Sequence, residues 1–196
     1  MSAADIPLFP LSSVLFPGGQ LRLRIFEPRY LDLVRDCARA GSGFGVCLIL
    51  EGAEVGEPAV PAAFGTLAHI SDFHTLSGGL LGIHAQGSER FRVEGTRVRS
   101  NGLVHGTVRF LPADPLVAVP IECALLATIL ERLLERIGGE RANVERTRYD
   151  DASWVGFRLA ETLPLTGAER QELLQMTDPV ERLHRLMHHL PRFQHA

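Results

Sequence analysis

The stretch "LFPGGQLRLRIFEPRYLDLV", Leu15 to Val34, decides how the first half of this 196-residue chain folds. Pro17-Gly18-Gly19 is a turn signal. After it, Leu21, Leu23 and Ile25 fall on one face of an extended segment and Arg22 and Arg24 on the other, the two-residue period of a half-buried strand. The period then changes. Pro28 suits a first helical position, because its fixed φ is helical and its missing N–H would have no partner there. Leu31, Val34 and Ala38 recur at helical spacing, joined by Tyr30 and Cys37, and Gly41 marks the stop. The corner Glu27-Pro28-Arg29-Tyr30 is therefore read as architectural. Glu27 sits where free N–H groups and the helix dipole favour a carboxylate. Tyr30 begins the core stripe. Arg29 pairs across the corner or, as a weak candidate, contacts a ligand.

Working outward, Ile6 to Phe9 is a short apolar run that Pro10 is expected to end. "FGVCLIL", 44–50, is a continuous apolar run of the kind buried on both faces. Residues 51–62 read as a loop, and "AFGTLAHISDFHTL", 63–76, as a strand. Ser77-Gly78-Gly79 turns the chain back into "LLGIHAQG". In "ERFRVEGTRVRS" the apolar phase slips around Gly95, where a β-bulge fits. Asn101-Gly102 is the strongest hairpin signal in the chain, and "LVHGTVRFL" completes the set. From Pro120 the period is helical. Ile121, Leu125, Ile129, Leu133 and Ile137, with Leu126, Leu130 and Leu134 beside them, predict a broad buried stripe. Residues 140–152 are polar, loop or helix extension. Trp154, Phe157, Leu159 and Ala160 mark a second helix. Capping boxes at Thr166–Glu169 and Asp178–Glu181 open a third and a fourth. The expected architecture is α+β: about six strands and one helix, then a helical bundle, joined near residues 112–119.

Composition narrows the chemistry. A formal charge of −3 gives no general attraction to nucleic acid or to anionic membrane. No apolar run approaches a bilayer span and the N-terminus lacks a signal-peptide pattern, so a cytoplasmic protein is expected. Cys37, Cys47 and Cys123 form neither a disulfide framework nor a C-x-x-C metal pair. All 20 basic residues are arginine and the chain contains no lysine, which removes the G-x-x-x-x-G-K-[ST] phosphate loop and the Ser-Lys dyad. His184 and His188 are spaced as helix metal ligands, but Arg185 stands where H-E-x-x-H needs glutamate. His69, His74, His84 and His105 are scattered and would have to converge in the fold to support a hydrolase. No cofactor, metal or catalytic residue is expected. Arg90, Arg92, Arg97 and Arg99, with Arg22, Arg24 and Arg109, could form a basic strip for RNA phosphates; interleaved Glu89 and Glu94 argue for a solvated face instead.

These same residues resemble one family. "IPLFPLSSVLFPGGQLRLRIFEPRYLDLV" is similar to the opening of the Lon protease N-terminal, substrate-binding domain, found also in short bacterial proteins and in cereblon. "FGTLAHISDFHTLSGGLLGIHAQGSERFRVEG" resembles its second signature, and "LPLTGAERQELLQMTDPVERLHRL" its helical tail. The resemblance implies a six-stranded, PUA-like β-barrel lobe with one helix over residues 1–115 and an α-helical lobe over 116–196. It implies a non-catalytic protein that recognises unfolded or extended polypeptide, with a separate ATP-dependent protease as a candidate partner. The family's ATPase and Ser-Lys protease domains would begin where this chain ends. No established binding residues carry over. The expected route is a groove between lobes or an open barrel edge that adds a peptide strand. The alternative is an RNA-binding module using Arg90, Arg92, Arg97 and Arg99; oligomeric state stays open.

Overall fold

The structure is a computed structural model that describes residues 3–139 and 143–193. The chain divides between Ala113 and Asp114 into a barrel unit and a helical unit. The barrel unit contains β1 (Ala4–Leu11), β2 (Gln20–Ile25), α1 (Pro28–Ala40), β3 (Phe44–Glu51), β4 (Val60–Thr75), β5 (Leu81–Val98) and β6 (Val104–Phe110). The helical unit contains α2 (Ala124–Ile137), α3 (Ala152–Thr162), α4 (Gly167–Gln175) and α5 (Pro179–His189), with 3-10 turns at Ile121–Cys123, Arg146–Asp150 and Leu190–Phe193.

In the barrel unit β1 runs parallel to β3 and antiparallel to β6, β4 bridges β3 and β5, and β5 returns to β6. The ladder thus closes into a ring, which removes unpaired edges. β2 stands apart from the ring: it pairs only with the first third of β5, Leu81 to Gln86. β5 serves three neighbours because it is long and bends. Its register slips between Val93 and Gly95, at the expected bulge. Pro10 does not end β1, contrary to expectation. By Leu8 the pairing to β6 has stopped and only β3 remains alongside, so Pro10 needs no donor on its far side. β4 likewise begins three residues earlier than its pattern suggests, through the pairing of Val60 with Glu51.

The side-chain period of two sorts these strands into two apolar layers. Leu8, Cys47, Leu67, Phe91, Val104 and Val108, one or more from every ring strand, form the layer inside the ring. It is small and full. A Cβ on either Gly45 or Gly65 would lie 2.6 Å from the Phe91 ring, and one on Gly106 would lie 2.9 Å from Leu8. The glycines of "FGV", "FGT" and "HGT" are therefore the space those two side chains occupy. On the other face Phe9, Phe44, Val46, Ala68, Ile83, Ala85 and Leu103 are covered by α1 through Tyr30, Leu33, Val34 and Cys37. The Phe9 and Tyr30 rings stack with centroids 3.9 Å apart. Leu31, expected on the core stripe, faces solvent instead.

In the helical unit Cys123, Leu126, Leu130 and Leu134 of the α2 seam are buried with Val155, Phe157 and Leu159 of α3 and Leu183 and Leu186 of α5. Asp151 caps α3, the Thr166–Glu169 box caps α4, and Asp178 caps α5 with Pro179 at the first helical position. Each cap accepts from N–H groups that have no partner within the helix. The polar stretch after α2 is in part the 3-10 turn Arg146–Asp150; its residues 140–142 lie outside those described. One expectation fails. The row Ile121, Leu125, Ile129, Leu133, Ile137 is not fully buried: Ile121 is 91% exposed, Leu125 58% and Ile137 50%, while Ile129 and Leu133 are half-buried. Full burial is confined to the adjacent Leu126–Leu130–Leu134 seam, which faces the neighbours of α2.

The helical unit is tied together by a residue that sequence reading passed over. Arg182 is fully buried. Its guanidinium donates to Asp114 Oδ2 at 2.7 Å, to the Leu173 carbonyl at 3.0 Å and to the Met176 carbonyl at 2.5 Å, and lies 3.9 Å from the centre of the Phe157 ring. Asp114 also accepts from Ser153 Oγ at 2.7 Å. Gly156 leaves room, since a Cβ there would lie 3.1 Å from Arg182 Cδ.

Candidate functional site

The corner that opened the sequence builds the floor of a cleft. Pro28 starts α1, with Glu27 at the N-cap position in extended conformation, but the Glu27 side chain makes no capping hydrogen bond. Its carboxylate lies 2.9 Å from Arg29 Nε instead. This is a contact of charges and not an aligned bond, since Arg29 Nε and Glu27 Oε1 both lack a hydrogen-bond partner among the described residues. Arg29 is 6% exposed. It reaches the Gly102 carbonyl at 3.4 Å and lies 4.8 Å from the Tyr30 ring centre. The β5–β6 hairpin is held to α1 a second time, by Asn101 Nδ2 donating to Asp32 at 3.1 Å. Arg29, the weak peptide-binding candidate, is thus an internal tie whose guanidinium is not presented to solvent.

Beside that corner lies a cleft of about 350 Å³. Phe9 and Leu11 of β1, Leu23, Phe26 and Tyr30 give it apolar walls, and Val55 closes it from the β3–β4 loop. Arg22, Arg24, Glu27 and Glu54 supply polar groups. Arg22, Leu23 and Arg24 are consecutive, and consecutive strand residues point to opposite faces. A cleft touched by all three runs along the edge of β2, the edge that no other strand covers among the described residues. The loop is pinned there by Glu54, whose carboxylate accepts from the Ser12 backbone N–H at 2.7 Å and from the Ser12 hydroxyl. Burial, followed by the field of Glu27 and Glu54, raises the Tyr30 phenol above its usual value; Arg29 opposes this. Tyr30 is therefore a neutral donor at physiological pH. Phe26, Leu50, Val55 and Val60 are exposed apolar side chains in the same unit.

The other candidates do not assemble. Arg90 is buried, Arg97 is bound to Asp5 and Arg109 to Glu94 at 2.7 Å, while Arg92 lies 5.9 Å from the Phe64 ring centre. The arginines singled out for RNA thus differ in environment and do not form a uniform cationic strip. His74 and His84 meet across β4–β5 with ring centres 4.7 Å apart, and His69 lies further along β4. His105 is on β6, paired with Arg97 at the far end of β5, and its Nδ1 lies 3.3 Å from Asp5. The four histidines therefore do not converge. Among the described residues no group of three or more His, Cys, Asp or Glu is placed to hold a metal ion. No described helix is long and apolar enough to cross a membrane. Burial pushes the Cys47 thiol up to about 12, the behaviour of an inert core thiol.

The fold and cleft define a class: an α+β protein of a small closed barrel followed by a helical unit, with an apolar groove at one strand edge. The model of the ATP-dependent protease La (LON) substrate-binding domain matches residues 5–192, and the chain belongs to that family. It is 49% identical to a Lon N-terminal domain protein from Xanthomonas campestris of known structure, covering 94% of this chain and 97% of that one with a TM-score of 0.80. The N-terminal domain of a Mycobacterium avium complex Lon protease shares the fold at 18% identity, with a TM-score of 0.68 over 94% and 96% of the two chains. Lon protease 2 of Herpetosiphon aurantiacus is 26% identical over 93% of this chain, which spans 23% of that protein. Cereblon of Danio rerio is 29% identical over 60% of this chain and 29% of its own length.

Proposed function

We propose that the barrel unit binds extended, unfolded polypeptide along the free edge of β2. A bound segment adds a strand to β2 through main-chain hydrogen bonds and lowers alternate apolar side chains into the cleft. The reading is carried by one observation: an apolar cleft that follows a strand edge left out of an otherwise closed ring. Main-chain pairing is indifferent to sequence, and the cleft walls ask only for apolar side chains. That combination suits misfolded clients that share no motif. Family membership agrees with this, because the matched region bears the name of a substrate-binding domain. In the cell such a protein would act as an adaptor, or as a competitor for the substrates of an ATP-dependent protease.

The test titrates the full chain against a fluorescent, reduced and alkylated model protein that cannot fold. Binding is expected in the micromolar range, weakened at least about tenfold by Val55→Glu or Phe26→Glu, each of which places a charge where an apolar group must be buried. Methylating alternate backbone nitrogens of a short client peptide should abolish binding if strand addition is the mode. Absence of binding at high micromolar concentration, or binding indifferent to both substitutions, would overturn the proposal.

A further inference from the structure

The row that runs from the 3-10 turn Ile121–Cys123 along α2, exposed at Ile121, Leu125 and Ile137 and half-buried at Ile129 and Leu133, has a property beyond being apolar. Ile121, Leu125, Ile129, Leu133 and Ile137 read the same in both directions about Ile129, isoleucine and leucine alternating every fourth residue. Rows at this spacing are the ridges that interdigitate when two helices pack. One pair of charges near the row shares the symmetry. Glu122, in the 3-10 turn that leads into α2, lies seven residues before Ile129, and Arg136, near the end of α2, lies seven after it and is opposite in sign. Both are exposed. Glu122 has one described ion-pair neighbour, His184 at 4.0 Å, and Arg136 has none among the described residues.

We infer that the outer face of α2 is a self-docking surface whose occupant is the α2 helix of a second copy of this chain, packed antiparallel about Ile129. A two-fold axis at Ile129 brings Leu125 of each copy to the level of Leu133 of the other. The same axis sets Glu122 of each copy opposite Arg136 of the other, so one contact produces two symmetric ion pairs. Self-complementarity of this kind is what an isologous dimer requires. A parallel arrangement would oppose Glu122 to Glu122 and Arg136 to Arg136, and repulsion excludes it. A face one helix wide is smaller than the roughly 800 Å² per partner of a standard interface, so the dimer is weak and forms at micromolar concentration or above. The inference does not depend on peptide binding at β2, which lies in the other unit.

The test is sedimentation of the full chain over a wide concentration range, with charge reversals at the two exposed positions. The parent chain is expected to pass from monomer to dimer. Glu122→Arg and Arg136→Glu each replace both attractions with repulsions and should raise the dissociation constant about tenfold or more. Mixing the two variants should restore the dimer as a heterodimer, because position 122 of each copy then faces a charge of opposite sign at position 136 of the other. Circular dichroism of each variant checks that the fold is intact, and the mixture reads the contact between chains even if one variant is slightly destabilised. A parent that stays monomeric throughout leaves the face to a different protein and overturns the proposal. So does a mixture that associates no better than its components, or a parent dimer that neither reversal weakens.

Discussion

The helical unit buries Arg182 and the barrel unit buries Arg29 and Arg90, and Arg182 and Arg29 are served differently. Arg182 in the helical unit has a carboxylate, two carbonyls and an aromatic face. Arg29 in the barrel unit has an aromatic face too, Tyr30 at 4.8 Å, but only one misaligned carboxylate and a carbonyl at 3.4 Å, and the second oxygen of its partner Glu27 finds no hydrogen-bond partner among the described residues. A buried charge is tolerable only when its partners are complete. Arg182 meets that condition and works as a rivet. Arg29 falls short of it, and the shortfall sits beside the cleft, at the β2–α1 corner that a bound strand would press against. Completeness of hydrogen bonding thus separates a part that holds the fold from a part adjoining the proposed binding surface.

The comparison breaks most visibly at Asp114. Asp114→Ala leaves the Arg182 guanidinium buried without its counter-charge and should cost about 3–5 kcal/mol. Trp154 is the only tryptophan and lies in the helical unit, so denaturant unfolding followed by its fluorescence reads that loss directly. Replacing both partners, Asp114→Leu with Arg182→Met, should recover much of it, because no charge is then left alone. Arg29→Met should cost the barrel unit only about 1 kcal/mol, since the hydrogen bonds it gives up are long or misaligned. An equal loss at both positions would dissolve the contrast.

Acid should sharpen it further. Burial, then the field of Arg99, lowers the His105 pKa below the usual 6.5, against the pull of Asp5. A histidine whose folded pKa is depressed favours the folded state while neutral. Its contribution is complete above pH 6.5 and is lost as pH falls from there toward the folded value. Burial raises the Asp5 carboxyl, but hydrogen bonds from His105 and Arg97 outweigh it and leave it lowered, so Asp5 adds a further loss below 3.8. In the helical unit Glu169 is held down to about 2, first by Arg192 and then by the Thr166 N–H, so its contribution persists until pH falls below 4.5. The barrel unit should therefore loosen first on acidification. The Cys47 thiol, shut inside the ring, should gain reactivity toward a thiol reagent active at mildly acid pH before the Trp154 fluorescence changes. His105→Gln should remove the step that begins at 6.5.

Local structure was legible in the sequence because it depends on neighbours a few residues away. The strand period of Leu21–Ile25, the turn at Asn101-Gly102, the slip at Gly95 and the caps at Thr166 and Asp178 each reappear in the structure as a short-range consequence of side-chain size or hydrogen-bonding capacity. The cleft was less legible. Its apolar residues come from β1, β2, α1 and the β3–β4 loop, and no spacing in the chain announces that Phe9, Leu23 and Val55 will share a wall. Glu27 looked like a helix cap, and the residue that claims it, Arg29, became decisive only once both were buried.

By itself the sequence determined the order of the main elements, most of their caps and turns, and, through the absence of lysine, which reactions have no reagent here. The tertiary structure decided which apolar surfaces found partners. Leu125 and Ile137 are as hydrophobic as Leu126, Leu130 and Leu134 of the same helix, yet the first two are exposed and the other three buried. It also decided that Arg182 would meet Asp114, a residue 68 positions away. Periodicity fixes the faces of an element, but burial belongs to whatever packs against it, and that is settled by the whole chain at once.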